Sequence, residues 1–125
     1  MRVKYFTVEE ANALLPKVEP LMAQLLERRA RVTRSASQMQ PLLEDVHSDV
    51  GSHEASELVL DFRAIERLVN KIQAYGCVVK DINVGLLDFL ADRHGRDVYL
   101  CWRSGEPRIE FYHDLHNGFN GRQPI

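Results

Sequence analysis

The chain has 125 residues, 45% hydrophobic and 27% charged, and its sixteen basic and eighteen acidic side chains leave a formal charge of −2. That is the length and balance of one globular domain burying roughly two thirds of its unfolded surface; it excludes a fibrous or disordered chain and argues against the basic surface of a general nucleic-acid binder. No run approaches the ~18 apolar residues that cross a bilayer, the first residues lack a signal-peptide core, and two cysteines make no disulfide framework, so the expected setting is the cytoplasm, with Cys77 and Cys101 reduced.

Thr7-Val8-Glu9-Glu10 is a capping box, in which hydroxyl and carboxylate each satisfy a backbone N–H, and it predicts a helix from about Val8. Pro16 and Pro20 each remove a donor and crowd the preceding turn, so the helix is expected to bend or restart there. Its apolar face continues through Leu14, Val18, Leu21, Leu25 and Val32, with Arg28 in the seam and Leu15, Met22 and Leu26 widening the stripe. Residues 35–52, with Pro41, His47, Asp49 and Gly51, read as a helical extension followed by a polar loop. Leu58, Phe62, Ile65, Val69 and Ile72 then alternate spacings of four and three, and Gly76 is the natural stop of a second helix. The two helices are expected to pack antiparallel. Apolar positions left over make a homodimer through the helices the expected oligomer.

After Asp81 the period changes, and residues 86–92, 97–103 and 108–113 read as strands separated by His94-Gly95 and Gly105-Glu106. A two-residue turn at Gly105-Glu106 would set Trp102 opposite Ile109, Leu100 opposite Phe111 and Val98 opposite His113 on one apolar face, leaving Tyr99, Cys101, Glu110 and Tyr112 on the other. The expected fold is α+β in a single domain over residues 1–125. An N-terminal antiparallel helical hairpin (about 7–76) packs on a C-terminal three-stranded antiparallel β-meander with an irregular tail (about 77–125).

The unusual polar residues fall in the last third. His113, Asp114 and His116, with Cys101 across the hairpin, offer the donors of a zinc or other divalent-metal site, although His113 and Asp114 point to opposite faces if the strand continues. His47, Asp49, His53, Glu54 and Glu57 form a second donor group that a polar loop and helix start explain more simply. A polar ligand surface is also expected from Lys80, Asp81, Asp88, Arg103, Glu106, His113, Asp114 and Arg122. Its guanidinium groups suit a small anionic ligand or an acidic protein segment, and neighbouring carboxylates can instead neutralise them. An enzyme would use His113 with Asp88 or Asp114 as its orienting carboxylate. Cys101, beside Trp102 in an apolar strand, is a poor nucleophile, and no nucleophile elbow, phosphate loop or HExxH motif is present. Arg28, Arg29, Arg31 and Arg34 wind around their helix rather than lining one groove, which speaks against nucleic acid.

Taken with Phe6-Thr7-Val8-Glu9-Glu10-Ala11-Asn12-Ala13-Leu14-Leu15-Pro16, several later segments carry a resemblance: Val79-Lys80-Asp81, Gly85-Leu86-Leu87-Asp88-Phe89, Val98-Tyr99-Leu100-Cys101-Trp102, Gly105-Glu106, His113-Asp114, Gly118-Phe119 and Gly121-Arg122. Over nearly its whole length the chain resembles the domain-of-unknown-function 2203 family of bacteria and archaea. It departs from the family pattern at Leu90, where proline follows the Asp-Phe pair, and at Tyr112, where tryptophan is common. The resemblance implies the domain boundaries and an intracellular setting, and no reaction. The sequence is therefore read as a binding or scaffold module whose working surface lies on the β segment and tail.

Overall fold

A computed structural model describes residues 3–44 and 53–125. The capping box forms: the Thr7 N–H donates to Glu10 Oε1 at 2.9 Å and the Glu10 N–H to Thr7 Oγ1 at 3.1 Å, and these bonds hold the Glu10 carboxyl below its ordinary range. From there helix α1 runs unbroken over Val8–Glu44, so neither Pro16 nor Pro20 restarts it. Both prolines stand on its exposed side, away from the packed stripe. That stripe is Ala11, Leu15, Val18, Met22, Leu25 and Val32, with Leu14, Leu21 and Leu26 as half-buried flanks, so its centre lies one position from the expected line.

Helix α2, His53–Gln73, packs against α1. Its buried line is Asp61, Ala64, Ile65, Leu68 and Ile72, and Phe62, expected in the packed stripe, is 54% exposed. The helix is turned so that Asp61 points inward to Arg28 Nη1, 2.8 Å away, with Arg31 at 3.8 Å. Gly76 (φ 105°) ends it in a conformation that only glycine adopts without strain, and an added Cβ would also lie 2.8 Å from the Lys4 side chain.

Five strands follow, paired antiparallel in chain order: β1 Val78–Asp81, β2 Leu86–Arg93, β3 Arg96–Arg103, β4 Phe111–Asp114 and β5 Gln123–Pro124. The expected meander is β2 to β4; the short edge strands β1 and β5 are additions. His94 (φ 54°) and Gly95 (φ 84°) make the two-residue turn between β2 and β3, which sets Arg93 opposite Arg96 and hence Asp88 opposite Cys101.

The β3–β4 connection corrects the expected register. Val98 pairs with Asp114, Tyr99 with His113, Leu100 with Tyr112 and Cys101 with Phe111, one residue from the two-residue-turn alignment. Two contacts account for it: Pro107 has no N–H to give a ladder, and Asn12 of α1, far away in sequence, takes up Ile109, accepting its N–H at 2.7 Å and donating to its carbonyl at 3.4 Å. Strand pairing begins only at Phe111, and a one-residue slip moves every β4 side chain to the opposite face.

One sheet face, with Leu87, Phe89, Ala91, Val98, Leu100 and Trp102, closes the core against the helices. The other face is covered by the tail. Among the described residues no helix is long and apolar enough to cross a membrane.

Candidate metal centre

The tail-covered face receives alternate residues of three neighbouring strands: Asp88 from β2, Cys101 from β3 and His113 from β4. One ligand atom from each lies within 4.8 Å of the others, and all three residues are buried. His113 Nε2 stands 3.1 Å from Asp88 Oδ1, while Nδ1 stands 2.8 Å from the Asp114 carbonyl. A carbonyl only accepts, so Nδ1 carries the proton and Nε2 is the atom turned toward the carboxylate and thiol.

Burial, reinforced by the Asp88 carboxylate, pushes the Cys101 thiol up to about 11, with Arg122 partly offsetting this. Burial also pushes Cys77 up to about 11, and its Sγ lies 3.5 Å from the Ile72 carbonyl, remote from the triad in sequence. Arg122 forms the roof. Its guanidinium forks onto Glu106 with two bonds of 2.9 Å and stacks 4.2 Å from both the Phe111 and Phe119 ring centres. Glu106 is held by its own turn, accepting the Arg103 N–H at 2.7 Å, while its carbonyl accepts the Trp102 indole N–H at 3.0 Å.

The expected site residues therefore divide. Cys101, His113, Asp88, Glu106 and Arg122 come together. Asp114 lies on the opposite face, where it meets Arg96 at 4.0 Å, and His116 is exposed in the following turn, so neither joins His113 in the donor set. Asp88 replaces them. Lys80 and Asp81 lie on edge strand β1, and Asp81 accepts the Asn83 N–H at 2.7 Å. Arg103 extends over Phe119 at 5.7 Å, and Arg108 pairs with Glu110 at 2.9 Å. Of the second donor group, His47 and Asp49 lie outside the described residues.

Cysteine, histidine and aspartate together resemble a hydrolytic triad, but the hydrogen bonding does not serve one. Asp88 stands on Nε2, the nitrogen that would have to take the thiol proton, instead of orienting the ring from Nδ1, and burial that pushes the thiol up to about 11 leaves little thiolate at neutral pH. Fold and site thus define an α+β domain with a buried nitrogen, oxygen and sulfur donor set on the tail-covered side of its sheet. The chain belongs to the family described as "Uncharacterized conserved protein (DUF2203)", whose model matches residues 4–125. No curated protein and no solved structure matches it. Asp88, Cys101, Glu106, His113, Phe119 and Arg122, all within the segments that carry the resemblance, converge at this centre.

Proposed function

We propose that the protein is a non-catalytic binding module built around a divalent-metal site at Asp88, Cys101 and His113, with zinc the ion that suits the donors best. The observation that carries this reading is the convergence of three unlike donors within 4.8 Å. Thiolate and imidazole select zinc-class ions over magnesium or calcium. The Nε2 to Oδ1 separation of 3.1 Å is close to the ligand–ligand edge of tetrahedral zinc, about 3.3 Å for bonds near 2.0 Å. The bond from Nδ1–H to a backbone carbonyl is the outer contact that orients a ligating histidine. Charge also balances: carboxylate and thiolate offset a dication, and Arg122 and Glu106 offset each other. Three protein donors leave a tetrahedral ion one exchangeable position.

Elemental analysis of untagged protein, with cobalt substitution followed by thiolate-to-metal absorption, tests the reading. Near-stoichiometric metal is expected in the parent and in His116→Ala, and its loss in Cys101→Ser and His113→Gln. A folded protein that takes up no added zinc, or equal loss in His116→Ala, would overturn it.

A second reading concerns partners. Val59, Leu60 and Phe62 of α2 are each at least half exposed, at 50%, 58% and 54%. A second copy of the chain is the proposed occupant. An antiparallel α2 pair would set Arg63 opposite Glu66 and Phe62 opposite Arg67, matching unlike charges and a cation to a ring.

A further inference from the structure

Away from the triad, α1, the β1–β2 turn and the end of β3 enclose an open groove of about 760 Å³. Its polar lining is Arg29, Thr33 and Arg34 from α1, Asn83 from the turn, and Arg103 and Ser104 from the strand end, with no acidic residue. Elsewhere Arg28, Arg31, Arg96, Arg108 and Arg122 each meet a carboxylate. Among the described residues, the guanidinium groups of Arg29, Arg34 and Arg103 meet none, as is also true of Arg63, Arg67 and Arg93, but the first three line one groove that holds no acidic residue.

Arg29 is nevertheless held in place. Its Nε–H donates to Asn83 Oδ1 at 3.0 Å and its Nη1–H to the Thr33 hydroxyl, while the Asn83 N–H is anchored on Asp81 Oδ1 at 2.7 Å. Both acceptors of Arg29 are neutral, so the guanidinium is positioned with its charge uncompensated and with further N–H donors in hand. Fixing a long side chain before a ligand arrives removes an entropy cost from binding. The Ser104 hydroxyl and the Asn83 side-chain amide add neutral donors of the kind that complete an oxyanion's shell, while the Thr33 hydroxyl gives its proton to the Arg29 carbonyl.

We infer that this groove binds a phosphomonoester of nucleotide size. A phosphomonoester is close to a dianion at neutral pH, matching adjacent arginines without an acid, and the volume lies within the range of small-molecule sites, about 300–1,000 Å³. The inference is independent of the metal reading, because no groove residue belongs to the triad.

The test is titration of the full chain, as purified, with inorganic phosphate and with mixed nucleoside monophosphates, followed by calorimetry and by NMR of the Arg29 Nε–H and Asn83 amide signals. Both probes are expected to give saturable shifts at these signals, the monophosphates binding more tightly. Arg29→Gln/Arg34→Gln should stay cooperatively folded, with Arg34→Gln alone, at an exposed position of α1, keeping the parent melting temperature, and the double variant should weaken binding by about tenfold or more, the effect of one lost charge-assisted contact. No saturable shift, shifts confined to other residues, or unchanged affinity in the variant would overturn the inference. So would a single-stranded RNA oligomer that binds at these residues and is not displaced by the monophosphates.

Discussion

His113 stands between two acceptors, and that arrangement sets what its neighbours can do. With Nδ1–H given to the Asp114 carbonyl, the Nε2–Asp88 contact must hold either a proton or a cation. Cys101 contributes in the opposite sense, since its burial favours the neutral thiol. A native thiol at about 11, against an ordinary 9.0, keeps its proton where the unfolded chain has lost it. Stability from this source is full below about pH 9, declines as the pH rises and is gone by about pH 11, with a slope of up to ~1.4 kcal/mol per pH unit for each thiol. Urea midpoints of chelator-treated protein at several pH values should therefore fall more steeply for the parent than for Cys101→Ser; parallel profiles would contradict this. Native protein should also resist thiol reagents at neutral pH, and denatured protein should react at both cysteines.

At the scale of elements, two polar contacts decide how apolar surfaces meet. Asn12 pairs with the backbone of Ile109 and so determines where β4 begins. Asn12→Ala should cost about 1–3 kcal/mol by leaving a buried N–H without an acceptor, and Asn12→Asp, which keeps the acceptor, should cost less; equal urea midpoints for the two variants would argue against this role. In the helical seam Asp61 is 3% exposed and depends on Arg28. Arg28→Ala should destabilise by about 1–2 kcal/mol, since Arg31 still stands 3.8 Å from Asp61, whereas Arg28→Leu/Asp61→Leu should recover most of that loss. A double-mutant cycle measures the difference, and a double variant no better than Arg28→Ala would show that the pair is not what the seam requires.

For the whole molecule, the exposed Val59, Leu60 and Phe62 predict a dimer, which light scattering should report as twice the 14.4 kDa chain mass. Phe62→Glu should return it to a monomer, and a parent mass independent of concentration at one chain would end the proposal.

Much of the architecture was legible in the residues themselves. The capping box, the two helical stripes, Gly76 and the His94-Gly95 turn act over a few neighbours, so each carries its structure locally. The same turn carried a signal for Asp88 opposite Cys101 that the sequence reading passed over, since a two-residue hairpin sets its own register. β1 and β5, only four and two residues long, are too short to show a period and are defined by the strands they join. Composition and periodicity determined two packed helices followed by an antiparallel sheet, and placed the unusual polar residues on that sheet and its tail. Only the tertiary structure decided which of them meet. The side chain of Asn12, ninety-seven positions from Ile109, shifts β4 by one residue and thereby turns His113 toward Asp88 and Cys101 and away from the helices. Strand register has a period of two, and a single long-range hydrogen bond is enough to choose the face.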